Sequence, residues 1–174
     1  MNEQIENAQA ITFRYAAQPS DMEAVRAIVE STDMFRPAEV DVAVELVQER
    51  LRQGELSGYY FVFAESAGEV LGYACYGPIA CTVASHDLFW IAVHRKCQGR
   101  GLGRQLLAES ESLIREAGGL RVYAETSGRA DYASTRAFYE HCCYRCEAVI
   151  EDFYAPGYSK CIYVKVLRSD CAPY

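Results

Sequence analysis

A chain of 174 residues that is 51% apolar and 24% charged fits one globular domain, with enough length to bury a core without staples. Its net charge of −7 argues against a nucleic-acid partner, and no apolar run approaches the length of a membrane span. Eight cysteines without a secretion-type leader read as reduced thiols in a cytoplasmic protein. The opening "MNEQIENAQA" is polar and acidic, and residues 1–10 read as a disordered tail. The closing "CAPY" fits a prenylation box poorly, and residues 169–174 form a second tail around a single domain over 11–168.

In chain order, "ITFRYA" reads as a strand, followed by Ser20 as a helix cap. Met22, Val25, Ile28 and Val29 then give that helix its apolar stripe. A second helix is expected from Ala38 to Gln53, with Val40, Val44, Val47 and Leu51 on one face and Gly54 ending it. "YYFVFAES" and "EVLGYACYG" look like a strand pair joined by "SAGE". "DLFWIAV" is a strand too apolar on both faces to sit at an edge. An amphipathic helix follows, with Leu102, Leu106, Leu113 and Ala117 in line and Gly118–Gly119 as its stop. "LRVYAET" is a strand, Asp131 caps a helix running through His141, and "YRCEAVIEDFY" and "KCIYVKVL" close the chain as strands. The order β-α-α-β-β-β-α-β-α-β-β defines an α/β domain with a mixed sheet.

The unit "DLFWIAVHRKCQGRGLGRQLL" carries the chemistry. Glycines at 99, 101 and 103 let the backbone turn tightly and aim successive N–H groups into one concavity. The next helix presents its positive dipole end to the same spot, and Arg100 and Arg104 flank it. This is a local anion site on an acidic protein. No Gly-Lys-Ser/Thr follows the glycines, which excludes a Walker loop, and the third glycine of a dinucleotide fingerprint would fall on Leu106.

The run Gln98-Gly99-Arg100-Gly101-Leu102-Gly103 resembles the pyrophosphate loop of the GNAT superfamily of acetyl-CoA-dependent N-acetyltransferases. One strand later, "TRAFYEHCCY" is similar to the family's second motif, and the element order agrees over residues 11–168. The resemblance implies a mostly antiparallel sheet flanked by helices, with the strand before the loop splayed from its neighbour. It implies that the backbone of Ile91 and Val93 pairs with pantetheine amides and that residues 98–104, with Arg104, hold the pyrophosphate. Acetyl-CoA is then the co-substrate, a primary amine the acceptor, and no metal is needed. A small-molecule amine is favoured over a peptide α-amine.

Tyr139 matches the family's tyrosine acid. A phenol with a pKa near ~10 is protonated at neutral pH and can donate to a leaving thiolate. Asp87, at the start of its strand, and Glu125, ending the next one, compete as the base, and a water chain can replace both. Two positions depart from the family pattern: Tyr132 stands where Asn is common, and Cys143-Tyr144 replace Gly-Phe/Tyr. Arg136 reads as a solvated helix residue or a phosphate contact. "DFYAPGYSK" resembles the tyrosine-bearing loop of ribosomal-protein N-terminal acetyltransferases and also fits a plain hairpin turning at Pro156-Gly157. Phe35, Tyr59, Tyr73 and Tyr76 are candidates for an acceptor groove, against core packing. The edge of the last strands leaves room for a homodimer.

Alternatives to an enzyme are a non-catalytic acyl-CoA sensor and a thiol or metal protein. "FYEHCCYRC" offers Cys142, Cys143 and Cys146, but adjacent helical residues point about 100° apart and no second ligand pair follows. Cys143 falls at the helix-to-strand corner, the place for a left-handed residue.

Overall fold

The computed structural model describes residues 10–167. The tails expected at 1–10 and 169–174 lie outside these residues apart from Ala10. Seven strands form one sheet: β1 Thr12–Arg14, β2 Tyr60–Ser66, β3 Glu69–Pro78, β4 Ser85–Val93, β5 Arg121–Ser127, β6 Arg145–Ala155 and β7 Tyr158–Val166. Four helices pack on it: α1 Asp21–Ser31, α2 Pro37–Gln53, α3 Leu102–Glu116 and α4 Ala133–His141. The spatial order is β1-β2-β3-β4-β5-β7-β6, antiparallel everywhere except between β4 and β5. The apolar strand β4 is central, as its two-sided hydrophobicity required.

The sheet separates two cores. On one face the α3 residues Leu102, Leu106, Leu107 and Ile114 bury against Val62, Ala74, Val122 and Ala124, and Tyr139 of α4 joins them. On the other, Val25, Ile28 and Val29 of α1 and Val40, Ala43 and Val47 of α2 cover Phe61, Phe63, Tyr73 and Cys75. Each helix buries one stripe, the way an amphipathic helix joins a core.

Two expected caps are absent. Ser20 makes no side-chain cap bond. The carboxylate of Asp21 instead accepts the Gln18 N–H at 2.7 Å and both terminal nitrogens of Arg14 at 2.7 and 2.9 Å, which ties β1 to α1. Asp131 lies in a 3₁₀ turn, Ala130–Tyr132, ahead of α4, and its carboxylate binds Arg129. Ser20 has helical dihedrals rather than the extended ones of a capping residue, and Arg129 holds the Asp131 carboxylate.

Helix ends follow the glycines. Gly118 takes φ +86°, with Gly119 N–H to Ile114 O at 2.8 Å and Gly118 N–H to Arg115 O at 2.9 Å, the paired bonds of a Schellman stop. The end of α4 repeats them without glycine. Cys143 takes φ +66°, Tyr144 N–H bonds Tyr139 O and Cys143 N–H bonds Glu140 O, each at 3.0 Å. Cys142 is buried and Cys143 is exposed, so the corner turns the two thiols into different surroundings. No group of three or more His, Cys, Asp or Glu suited to a metal occurs among the described residues.

Candidate active site

Strands β4 and β5 pair only from Ser85↔Arg121 to Leu88↔Ala124, although they continue to Val93 and Ser127. Beyond Leu88 they part and open a cleft of about 610 Å³. The gap leaves β4 backbone groups without a strand partner. His94 N–H bonds Leu71 O at 2.9 Å and Val93 sits opposite Gly72, so Ala92 directs its N–H and C=O to β3. Ile91 and Val93 therefore direct theirs into the gap. Gln98 Nε2 already donates to Val93 O at 3.0 Å.

The glycine loop closes one end of this strand. Gly99 and Gly101 have φ of +75° and +82°, and a Cβ on either would meet nothing within 4 Å. Their hydrogen side chains serve backbone shape rather than packing. Gly103 differs: it lies in α3, and a Cβ there would be 3.5 Å from the Phe138 ring, an ordinary contact. The turn thus needs two of the three glycines. The first internal bond of α3 is Gln105 N–H to Gly101 O, so the preceding N–H groups have no helical acceptor.

Four cations surround the loop. Arg95 is bound to Asp33, and Lys96 reaches Glu69 at 2.5 Å. Arg100 and Arg104 have no carboxylate partner among the described residues and stand exposed at the start of α3. Of these four, the two at the start of α3 carry positive charge that no carboxylate among the described residues offsets, and Arg104 also contacts the Cys142 thiol. This cradle fits a polyanionic group.

Tyr139 lines the cleft from α4 with 4% exposure, stacked on Tyr163 at 5.6 Å and tilted against Tyr144 at 5.5 Å. Burial, and then Cys142, push its phenol well above the usual range, so it holds its proton throughout neutral pH. Glu125 lines the opposite wall and accepts Lys160 Nζ at 2.6 Å. Asp87 stands opposite Tyr123, two positions before Glu125 on the same sheet face, where the strands are still paired. Burial raises the Asp87 carboxyl, Glu125 raises it further, and Lys160 opposes both. The structure brings Tyr139 and Glu125 to one cleft and keeps Asp87 behind it.

The acceptor candidates divide. Phe35 lines the cleft and packs on Trp90 with ring centres 5.1 Å apart. Tyr59 packs edge-on against Phe89. Tyr73 and Tyr76 are core residues at 0% and 8% exposure, which removes them from the groove. Arg136 is half-buried, and its Nη1 donates to Ser127 O at 2.8 Å and Arg129 O at 2.7 Å. Tyr132 lines the cleft, and its hydroxyl donates to Met34 O at 3.3 Å.

Sequence reasoning missed Trp90, Glu39, Arg129 and Lys160, which carry no motif. The β6–β7 turn forms at Gly157 (φ +79°), with Asp152 Oδ1 accepting Gly157 N–H at 2.6 Å. Between Ile150↔Lys160 and Ala155↔Tyr158 the β6 residues 151–154 bulge out of register, and Tyr154 and Tyr158 line the cleft.

The profile of the Acetyltransferase (GNAT) family matches residues 23–143. A crystal structure of a protein assigned to that family from Desulfovibrio desulfuricans shares 48% identity, covers 91% of this chain and 100% of its own, and superposes with a TM-score of 0.90. The ribosomal-protein-S18-alanine N-acetyltransferase of Escherichia coli superposes at 0.72 with 21% identity over 95% and 99% of the two chains. A Salmonella typhimurium protein assigned as an acetyltransferase, solved with acetyl-CoA, superposes at 0.71 with 20% identity over 95% and 98%. These last two share the fold. No curated protein matches the chain in sequence. The chain belongs to the GNAT family of acetyltransferases.

Proposed function

We propose that the protein moves an acetyl group from acetyl-CoA directly to a primary amine, with a small molecule preferred to a peptide α-amine. The observation that carries this reading is the parting of β4 from β5 beside a positive-φ glycine loop flanked by the exposed Arg100 and Arg104. On this reading residues 98–104 hold the pyrophosphate, with the backbone of Gly99, Arg100, Gly101, Leu102 and Gly103 and the side chains of Arg100 and Arg104. Ile91 and Val93 bind the pantetheine amides through their gap-facing backbone. Gln98 shapes that contact through its hold on Val93 O.

Acetyl-CoA supplies an activated thioester carbonyl when bound. The amine forms its new bond to the carbonyl carbon as the carbon–sulfur bond breaks, and Tyr139 gives its proton to the departing sulfur. Glu125, with its second oxygen turned from Lys160, takes the proton lost by the amine, directly or through water. Asp87 behind it holds charge that favours the ammonium before deprotonation. No helix among the described residues is long and apolar enough to cross a membrane. Use of acetyl-CoA favours a cytoplasmic location. β6 ends the sheet, and its outer edge is where a homodimer would form.

Calorimetric titration with acetyl-CoA tests the reading. Gly101→Glu places a carboxylate in the cradle and should abolish binding. Gly118→Glu imposes the same positive-φ strain at the far end of α3 and should leave it intact. Absence of saturable binding to the native chain would remove the proposal.

A further inference from the structure

We infer that the acceptor is an amine with a flat apolar body and no carboxylate, which deepens the reading of this site as an amine acetyltransferase. The acceptor end of the cleft is walled by Phe35, Phe89, Trp90 and Tyr154. Phe89 and Tyr154 are 38% and 50% exposed, so large rings stand uncovered in a concave wall, where a ligand gains most from burying an apolar body.

The charges around that wall are already spent on one side only. Arg36 is bound by Glu39, with Nε at 3.2 Å; Arg129 by Asp131 at 2.5 Å; and Lys160 by Glu125 at 2.6 Å. Arg129 is also committed to ring faces, 5.7 Å from Tyr132 and 5.3 Å from Tyr158. Asp87 has no ion-pair partner of its own among the described residues. A ligand carboxylate would thus enter a site in which each nearby cation already has a carboxylate partner and Asp87 adds a further negative charge behind the cleft. Without a partner, its desolvation would go uncompensated. An ammonium meets Glu125 instead, with the Asp87 carboxyl behind it, and a ring attached to it reaches the aromatic wall.

The chain has a single tryptophan, so Trp90 emission reports this end of the cleft without any need for turnover. The probes are phenethylamine, phenylalanine and phenylalanine methyl ester, which keep ring and amine while adding and then neutralising the carboxylate. Phenethylamine and the ester should shift the emission saturably, with phenylalanine at least tenfold weaker. Phe35→Leu should weaken phenethylamine several-fold while leaving acetyl-CoA binding unchanged. Equal or tighter binding of phenylalanine overturns the inference, as does tighter binding of a phenylalanine-headed peptide than of phenethylamine. Mass spectrometry of the same mixtures with acetyl-CoA separates the two levels. If the binding order holds but no amine is acetylated, the inference about the pocket stands and the enzymatic reading falls.

Discussion

Lys160 reaches from β7 to place Nζ 2.6 Å from Glu125 Oε2 on β5, with only 12% of its side chain exposed. Its ammonium lies 3.8 Å from the centre of the Phe153 ring, so a carboxylate and a ring face hold it together. The groups facing this ammonium from neighbouring strands are Glu125, Asp87 and Phe153.

Lys160→Met removes the one cation that lowers Asp87 and anchors Glu125. The Asp87 carboxyl should then titrate higher still, so its proton-accepting form appears only at higher pH. The acid limb of kcat/KM should move upward by about 1 pH unit. Lys160→Arg should restore the limb while changing KM. A limb that does not move in Lys160→Met would show that Asp87 does not set it.

Tyr139→Phe should lower kcat by about 10²-fold or more while leaving the Kd for acetyl-CoA unchanged, because the ring packing on Tyr163 and Tyr144 survives. Burial keeps the native phenol protonated well past neutrality, so Tyr139 should impose no alkaline limb on kcat below about pH 10. Stopped-flow rates with native and substituted enzyme measure both effects.

Cys143→Gly should stabilise the fold by about 0.5–1 kcal/mol. A β-carbon at φ +66° strains the corner, and relief of that strain exceeds the entropy that glycine adds to the unfolded chain. Urea midpoints at constant m-value provide the test. Cys142→Gly, at the buried neighbouring position, should destabilise instead.

Arg136→Met leaves the carbonyls of Ser127 and Arg129 without their shared donor. It should cost about 1–2 kcal/mol of stability and raise KM for the amine more than for acetyl-CoA, since Ser127 and Arg129 line the acceptor side. A KM change shared equally by both substrates would contradict this placement.

The strand–loop–helix unit was legible because its signals are local. An apolar run defines β4, glycines mark positive φ, and a periodic stripe defines α3. Helices α1 and α2 were legible for the same reason, to within one residue at the start of α2. What failed was competition between distant or merely neighbouring groups. Ser20 and Asp131 have capping chemistry, yet Ser20 takes helical dihedrals and Arg129 holds the Asp131 carboxylate. Tyr73 and Tyr76 look like groove residues in a strand of alternating aromatics, and only the two-faced cover of β3 shows both to be core. Lys160 and Glu125 are 35 positions apart, and no spacing rule joins them. The departure at Cys143 proved conformational: the cysteine occupies a glycine's dihedral angle with a full set of helix-stop bonds.

The cleft draws its two walls from different kinds of sequence. On the proposed reading the donor wall is nearly contiguous, the β4 backbone from Leu88 to Val93 and then Gln98, whereas the acceptor wall adds to the Phe89 and Trp90 rings the residues Phe35 and Glu39, Tyr132, and Tyr154 and Tyr158 from three separated segments. A point substitution at the acceptor wall can therefore leave the donor wall untouched. Such a molecule can acquire a new clientele of amines by piecemeal change while its appetite for the acyl donor is inherited whole.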